Sequence, residues 1–175
     1  MNQKRKDQIK KLEKELLLNK LESKEGIHEL VLILDHLKSG FNIAKIIRTA
    51  EAFSIKEVHI IGTKLFDPYP AKGAIKRVRL HFYSSLRQSI DKLKNDGYEL
   101  FLMDMKAKNY IHETELPSKS AFIFGNEEVG PTLEGAQKED FSPIKIKQWG
   151  LTESLNVSIA ASITAYEYVT QTSES

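Results

Sequence analysis

Short apolar runs separated by longer amphipathic stretches constrain this chain more than any other feature. The segments 29–34, 57–61, 98–103 and 121–124 are dominated by Leu, Ile, Val and Phe and are short for buried helices, so they read as strands. Between them, 41–53 carries Ile43, Ile46, Ile47, Ala50 and Phe53 on one helical stripe. Segment 85–95 reads as a second helix, with Ser84 or Ser85 as its cap and Gly97 just past its end. A short helix over 131–138, a strand over 143–146 and a closing helix over 153–170 complete the pattern. This alternation predicts an α/β fold, a mainly parallel sheet flanked by helices.

With 175 residues, 41% of them hydrophobic, the chain suits a single packed domain. Ile9, Leu12, Leu16 and Leu21 repeat near helical spacing, so 4–22 reads as an amphipathic helix. Residues 1–25 are then a basic arm packed on a domain of residues 26–175. The absence of cysteine excludes a disulfide framework, a thiolate zinc site and a cysteine nucleophile, and fits a cytoplasmic setting. No apolar run approaches the ~20 residues that span a bilayer, so no membrane partner is expected.

A net charge of +2 neither demands nor excludes nucleic acid, and the distribution matters more. Lys4, Arg5, Lys6, Lys10, Lys11 and Lys14 crowd the first helix, where Glu13 and Glu15 dilute them; that face is either solvated or turned to phosphates. Lys72, Lys76, Arg77 and Arg79 fall in or beside a long Pro- and Gly-containing loop, 64–80, with no acid between 72 and 79. These four read as RNA contacts.

In open parallel sheets, ligands bind beyond the carboxyl ends of the strands. Three polar loops follow strands here: 38–42, 125–130 and 147–156. The first leads into a helix with Asn42 in its first turn and Arg48 beside the apolar stripe. A guanidinium there needs an anionic partner, either a carboxylate such as Glu127 or a phosphate or reacting hydroxyl. The second loop turns between Gly125 and Gly130 before Pro131, which reads as close backbone approach or a simple turn. Neither phosphate-binding glycine pattern is present, and Glu127 and Glu128 would repel a pyrophosphate. In the third, small and polar residues crowd Gly150 to Ala161, and Thr152 or Ser154 either caps the closing helix or lines a ligand site.

Taken together, these loops resemble the SpoU class, or TrmH family, of the SPOUT superfamily of RNA methyltransferases. The first motif stands as Asn42, then Arg48-Thr49-Ala50-Glu51; the second as Gly125-x-Glu127-x-x-Gly130; the third runs from Ile144 through a Gly-containing loop to Ser154-Leu155-Asn156-Val157-Ser158. The resemblance implies an α/β domain with a C-terminal trefoil knot, a homodimer, and S-adenosylmethionine bound in bent form within the knot. It implies methyl transfer to a ribose 2′-hydroxyl of tRNA or rRNA. Backbone groups of Gly125, Ile146 and Leu155 would meet the cofactor, with Met103 and Asp104 alongside and Asn126, Gly130 and Gly150 in the same loops. Asn42, Arg48, Glu127, Ser154 and Asn156 match the family's catalytic positions.

A sulfonium methyl is already activated, so such an enzyme aligns the oxygen nucleophile and favours loss of its proton, without a metal. With a pKa above about 12, Arg48 is a poor base and is assigned to stabilising the alkoxide or a nearby phosphate. Asn156 and Ser154 would position the hydroxyl or Arg48, and Glu127 would hold the loop. One departure stands out: Lys147 and Gln148 replace the family's Pro-Met. Next to them, Trp149 covers the adenine edge, forms a dimer contact or packs on a neighbouring helix.

The competing function is a catalytically inactive knotted RNA-binding or assembly factor, which would not bind S-adenosylmethionine. A Rossmann-type nucleotide enzyme would need a glycine fingerprint that Lys38-Ser39-Gly40-Phe41 does not supply. Without a sizeable separate RNA-binding domain, a compact target such as a tRNA loop is favoured.

Overall fold

In a computed structural model that describes residues 3–132 and 140–173, the apolar runs form the centre of one parallel sheet. Strands β1 (His28–Asp35), β2 (Ile55–Ile61), β3 (Arg79–Tyr83), β4 (Glu99–Met103), β5 (Asn109–Tyr110), β6 (Ser120–Phe124) and β7 (Ser142–Lys145) lie in the order β3-β2-β1-β6-β4-β7-β5. Leu32 of β1 pairs with Val58 on one side and Phe122 on the other. Residues 30 to 34 of β1 are fully buried because helices cover both faces. Alternation with period two sends Leu30, Leu32 and Leu34 to one core and Val31 and Ile33 to the other.

The first core is closed by α2 (Gly40–Ala52) and α4 (Val157–Ser173), and by Leu12 of α1 (Gln3–Glu22). The second is closed by Leu86, Ile90 and Leu93 of α3 (Leu86–Asn95). Buried Asn19 holds α1 in place by donating from Nδ2 to the carbonyls of Ile75 and Val78, at 2.5 and 2.6 Å. Among the described residues no helix is long and apolar enough to cross a membrane.

Two local expectations need correction, and a third is not tested. The loop 64–80 contains two 3₁₀ turns, Tyr69–Ala71 and Ala74–Lys76, but its last residues enter strand β3, which the sequence reading missed. Helix α4 starts at Val157 rather than at 153, because Asn156 provides its cap: Asn156 Oδ1 accepts from Ser158 N at 2.9 Å and Ser158 Oγ at 2.6 Å. Neither Thr152 nor Ser154 fills that role. Beyond Thr132, the short helix expected over 131–138 lies outside the described residues.

Candidate active site

The three polar loops converge at the carboxyl ends of β1, β6 and β7, joined there by the end of β4. The second and third loops and the end of β4 line an open cavity of about 320 Å³, within the ~300–1,000 Å³ range of small-molecule sites, and the first loop meets its edge through Asn42. Met103, Phe124, Ile146, Leu155 and Val157 give it apolar walls, while Asp104, Glu127, Ser154 and Asn156 bring polar atoms to it. Gly125 is required by packing: a Cβ there would lie 2.3 Å from Pro131 N and 2.6 Å from the Gly130 carbonyl carbon. At Gly150, by contrast, a Cβ would meet nothing within 4 Å.

The second loop is pinned to the end of β1. Buried Asp35 accepts from Thr132 N at 2.5 Å and from Thr132 Oγ1 at 2.8 Å. Asn126 donates from Nδ2 to the His36 carbonyl at 2.8 Å, and its Oδ1 accepts from Glu128 N and Val129 N. Asn126 N also donates to the Gly130 carbonyl, and Gly130, at φ 76°, returns the bond. The conformation of the loop is thus set by the chain's own hydrogen bonds.

Two helix N-termini meet at the cavity mouth. Ser39 makes no side-chain cap for α2, and its first turn contains no acid. Glu127 supplies the anion from the neighbouring loop, with Oε2 accepting from Lys38 N at 2.8 Å. Its Oε1 accepts from Asn42 Nδ2 at 2.9 Å, and Asn42 Oδ1 accepts in turn from Asn156 Nδ2 at 3.3 Å. Since Asn156 caps α4, the line Asn156–Asn42–Glu127 joins the starts of both helices. Lys38 Nζ pairs with Glu128 beside it. Burial pushes the Glu127 carboxyl up, but bonds from Asn42 and from the backbone N–H groups of Lys38, Glu127 itself and Ser39 outweigh it and hold its pKa below the ordinary carboxylate value.

The structure therefore brings Met103, Asp104, Gly125, Glu127, Ile146, Ser154, Leu155 and Asn156 to one cavity, with Asn42 hydrogen-bonded at its edge. Asn126 and Gly130 are spent on loop geometry, and they and Gly150 do not line the cavity. Sequence reasoning missed Met105, Phe124, Lys145, Val157 and Ala160 on the walls. Phe124 ends β6 beside the second motif and Val157 stands within the third at the start of α4, and only those places could have marked them. Trp149 is 85% exposed, so it does not pack on a helix.

Arg48 is not in this cavity. Six residues at 3.6 per turn put it about 120° round α2 from Asn42. It is exposed, and of the two partners left open for it the Glu127 carboxylate is not used, since that carboxylate faces Lys38 N and Asn42 Nδ2. It lines a separate depression with Phe41, Lys45, Lys72, Ser158, Ile159 and Ser162. Of the other basic candidates, Arg77 Nε pairs with Glu51 at 2.9 Å and Arg79 Nη1 approaches Glu25 at 3.8 Å. The acids that sequence spacing left out are supplied by folding. Lys72 remains exposed, and Lys76 is half-buried.

Comparison with known proteins finds relatives in sequence and in fold. The chain is 29% identical over 141 residues to the tRNA (guanosine(18)-2′-O)-methyltransferase of Borreliella burgdorferi, covering 78% of this chain and 64% of that protein. The structure resembles the A. aeolicus TrmH/SpoU tRNA modifying enzyme with a TM-score of 0.75 at 22% identity, covering 94% and 84% of the two chains. It also resembles the SpoU methyltransferase AviRb of Streptomyces viridochromogenes in complex with AdoMet, with a TM-score of 0.74 at 21% identity over 85% and 62%. Residues 29–166 match the SpoU rRNA Methylase family, and with its three motifs gathered on one end of a parallel sheet the chain belongs to that family.

Proposed function

We propose that this protein is an S-adenosylmethionine-dependent RNA methyltransferase that modifies a ribose 2′-hydroxyl of tRNA or rRNA, with a tRNA loop the favoured target. The observation that carries this reading is the Asn156–Asn42–Glu127 line at the mouth of the cavity. The residues fit the methyl donor: apolar walls suit adenine and the methionine chain, and the Asp104 and Glu127 carboxylates suit a cationic sulfonium. When bound, S-adenosylmethionine supplies an activated methyl group. Gly125, Ile146 and Leu155 would hold it with backbone groups beside Met103 and Asp104, and the trefoil knot belongs to the same reading.

Asn156 and Ser154 orient the ribose hydroxyl, while Glu127 fixes Asn42 and through it Asn156. Arg48, a permanent cation, stabilises the developing alkoxide or an adjoining phosphate. Its position favours a homodimer. Phe41, Ile159, Ile163 and Tyr166 are exposed on α2 and α4, and a second protomer covering them would bring Arg48 towards a neighbouring active site. Lys72 beside Arg48 would extend the RNA path, and a cytoplasmic location follows from such a substrate.

Calorimetry with S-adenosylmethionine, followed by mapping of ribose methylations in RNA from cells with and without the protein, tests the reading. Micromolar binding and one lost 2′-O-methyl mark are expected. No binding at millimolar cofactor would favour an inactive RNA-binding factor instead.

A further inference from the structure

Strands β2 and β3 carry a cluster that methyl transfer leaves unused. The parallel register sets His59 opposite His81, on the sheet face covered by α3, and Glu57 precedes His59 by two residues on that same face. Glu57 Oε1 lies 2.9 Å from His59 Nε2, and Glu57 Oε2 lies 3.0 Å from His81 Nε2. The three available ligand atoms all fall within 4.8 Å of one another. The side chains of His59 and Glu57 are 0% and 6% exposed, whereas that of His81 is 32% exposed and leaves one side open to water.

The surroundings suit a cation. Ser89 of α3 contacts His59 Nδ1 at 2.6 Å, the outer hydrogen bond that fixes the orientation of a metal-binding imidazole. If His59 donates its proton to Ser89, its Nε2 lone pair confronts a carboxylate oxygen, and a cation between them removes that repulsion. Two imidazole nitrogens and one carboxylate oxygen form the borderline donor set of Zn²⁺, with water completing four ligands; Mg²⁺ and Ca²⁺ prefer oxygen alone. The nearest competing cation is Lys92, 3.5 Å from Glu57 Oε1 but held more closely by Asp96 at 2.7 Å.

We propose that Glu57, His59 and His81 bind a zinc ion that fastens the edge strand β3 to β2. The site shares no residue with the methyl-donor cavity and takes no part in methyl transfer. Because β3 follows directly on the basic loop, the ion anchors the base of that loop. The inference stands independently of the proposed RNA chemistry.

The test uses the full, untagged chain stripped with a chelator and titrated with ZnCl2 by calorimetry and CoCl2 by absorption. A single high-affinity ion per chain is expected, with the melting temperature raised by about 7 °C at a hundredfold excess over Kd. His81→Gln weakens binding at least ~10-fold, as does Ser89→Ala through the outer hydrogen bond. Lys92→Gln, which removes a repelling charge, tightens it, and His112→Gln, elsewhere on the surface, leaves it unchanged. Absence of binding at submillimolar zinc in both the parent and Lys92→Gln overturns the proposal. So does affinity that survives His81→Gln, which would place the ion elsewhere.

Discussion

Glu127→Gln keeps the shape of the side chain and replaces an acceptor by a donor, which makes it a sharper probe than deletion. The carboxylate receives Lys38 N on one oxygen and Asn42 Nδ2 on the other, so both partners need acceptors. A glutamine offers one oxygen and one NH2 group. If the NH2 faces Lys38, two donors oppose each other at the start of α2. If it faces Asn42, that amide must flip, which turns Asn42 Nδ2 towards Asn156 Nδ2. Asn156 cannot follow without losing its cap on α4, because its Oδ1 holds Ser158. Losing a hydrogen bond to a charged group costs about 1.5–3 kcal/mol, and losing a helix cap costs about 1 kcal/mol. Since Glu127 is exposed, the expected loss is about 1–2 kcal/mol, or roughly 5–30-fold in rate. The assay is single-turnover transfer of tritiated methyl from S-adenosylmethionine to tRNA prepared from cells lacking the protein. Glu127→Gln should be no faster than Glu127→Ala, whose gap admits water to Asn42. Full activity in Glu127→Gln beside an impaired Glu127→Ala would refute the argument from acceptor polarity.

Arg48→Ala should lower methyl transfer by more than about a hundredfold while leaving calorimetric cofactor affinity nearly unchanged, because Arg48 lies outside the cavity. Should Arg48 act across a dimer, mixing Arg48→Ala with Glu127→Ala protomers would restore part of the activity; strict additivity of the two defects would place it in its own protomer. Asn42→Ala removes the strongest of the hydrogen bonds that depress the Glu127 pKa. A depressed carboxylate contributes stability above its unfolded pKa that is lost as pH falls through the folded value, so the acid limb of the pH–rate profile should move to higher pH in this variant. An unmoved limb would detach Glu127 from it. Gly125→Ala forces a methyl group into Pro131 N and the Gly130 backbone, and urea denaturation should register a loss of about 1–3 kcal/mol together with weakened cofactor binding.

The buried strands were legible because a strand covered on both faces must be apolar at every position, as residues 30 to 34 of β1 are. Strand β3 was not. On this sheet edge Arg79, His81 and Tyr83 alternate with Leu80 and Phe82, and the basic residues before them made the segment read as loop. The motif residues were legible as a set, since each follows a strand end. Their division of labour was not, because it depends on helix phase: Asn42 turns towards Glu127 while Arg48, on the same helix, turns away. The cap of α4 was ambiguous for a simpler reason. Thr152, Ser154 and Asn156 are all competent acceptors within five residues, and only backbone geometry selects the last.

The first turns of α4 form a partition between two depressions. Val157 and Ala160 face the cavity at the ends of β4 and β6; Ser158, Ile159 and Ser162 face the Arg48 side, where Ser162 Oγ meets Thr49 Oγ1 at 2.8 Å. Whatever shifts or stiffens that turn from one side is felt on the other. A ligand on one side that shifts this turn would couple to the other side, and such coupling is reciprocal: if a ligand in the cavity raises affinity for a partner on the Arg48 side by some factor, that partner must raise affinity for the ligand by the same factor.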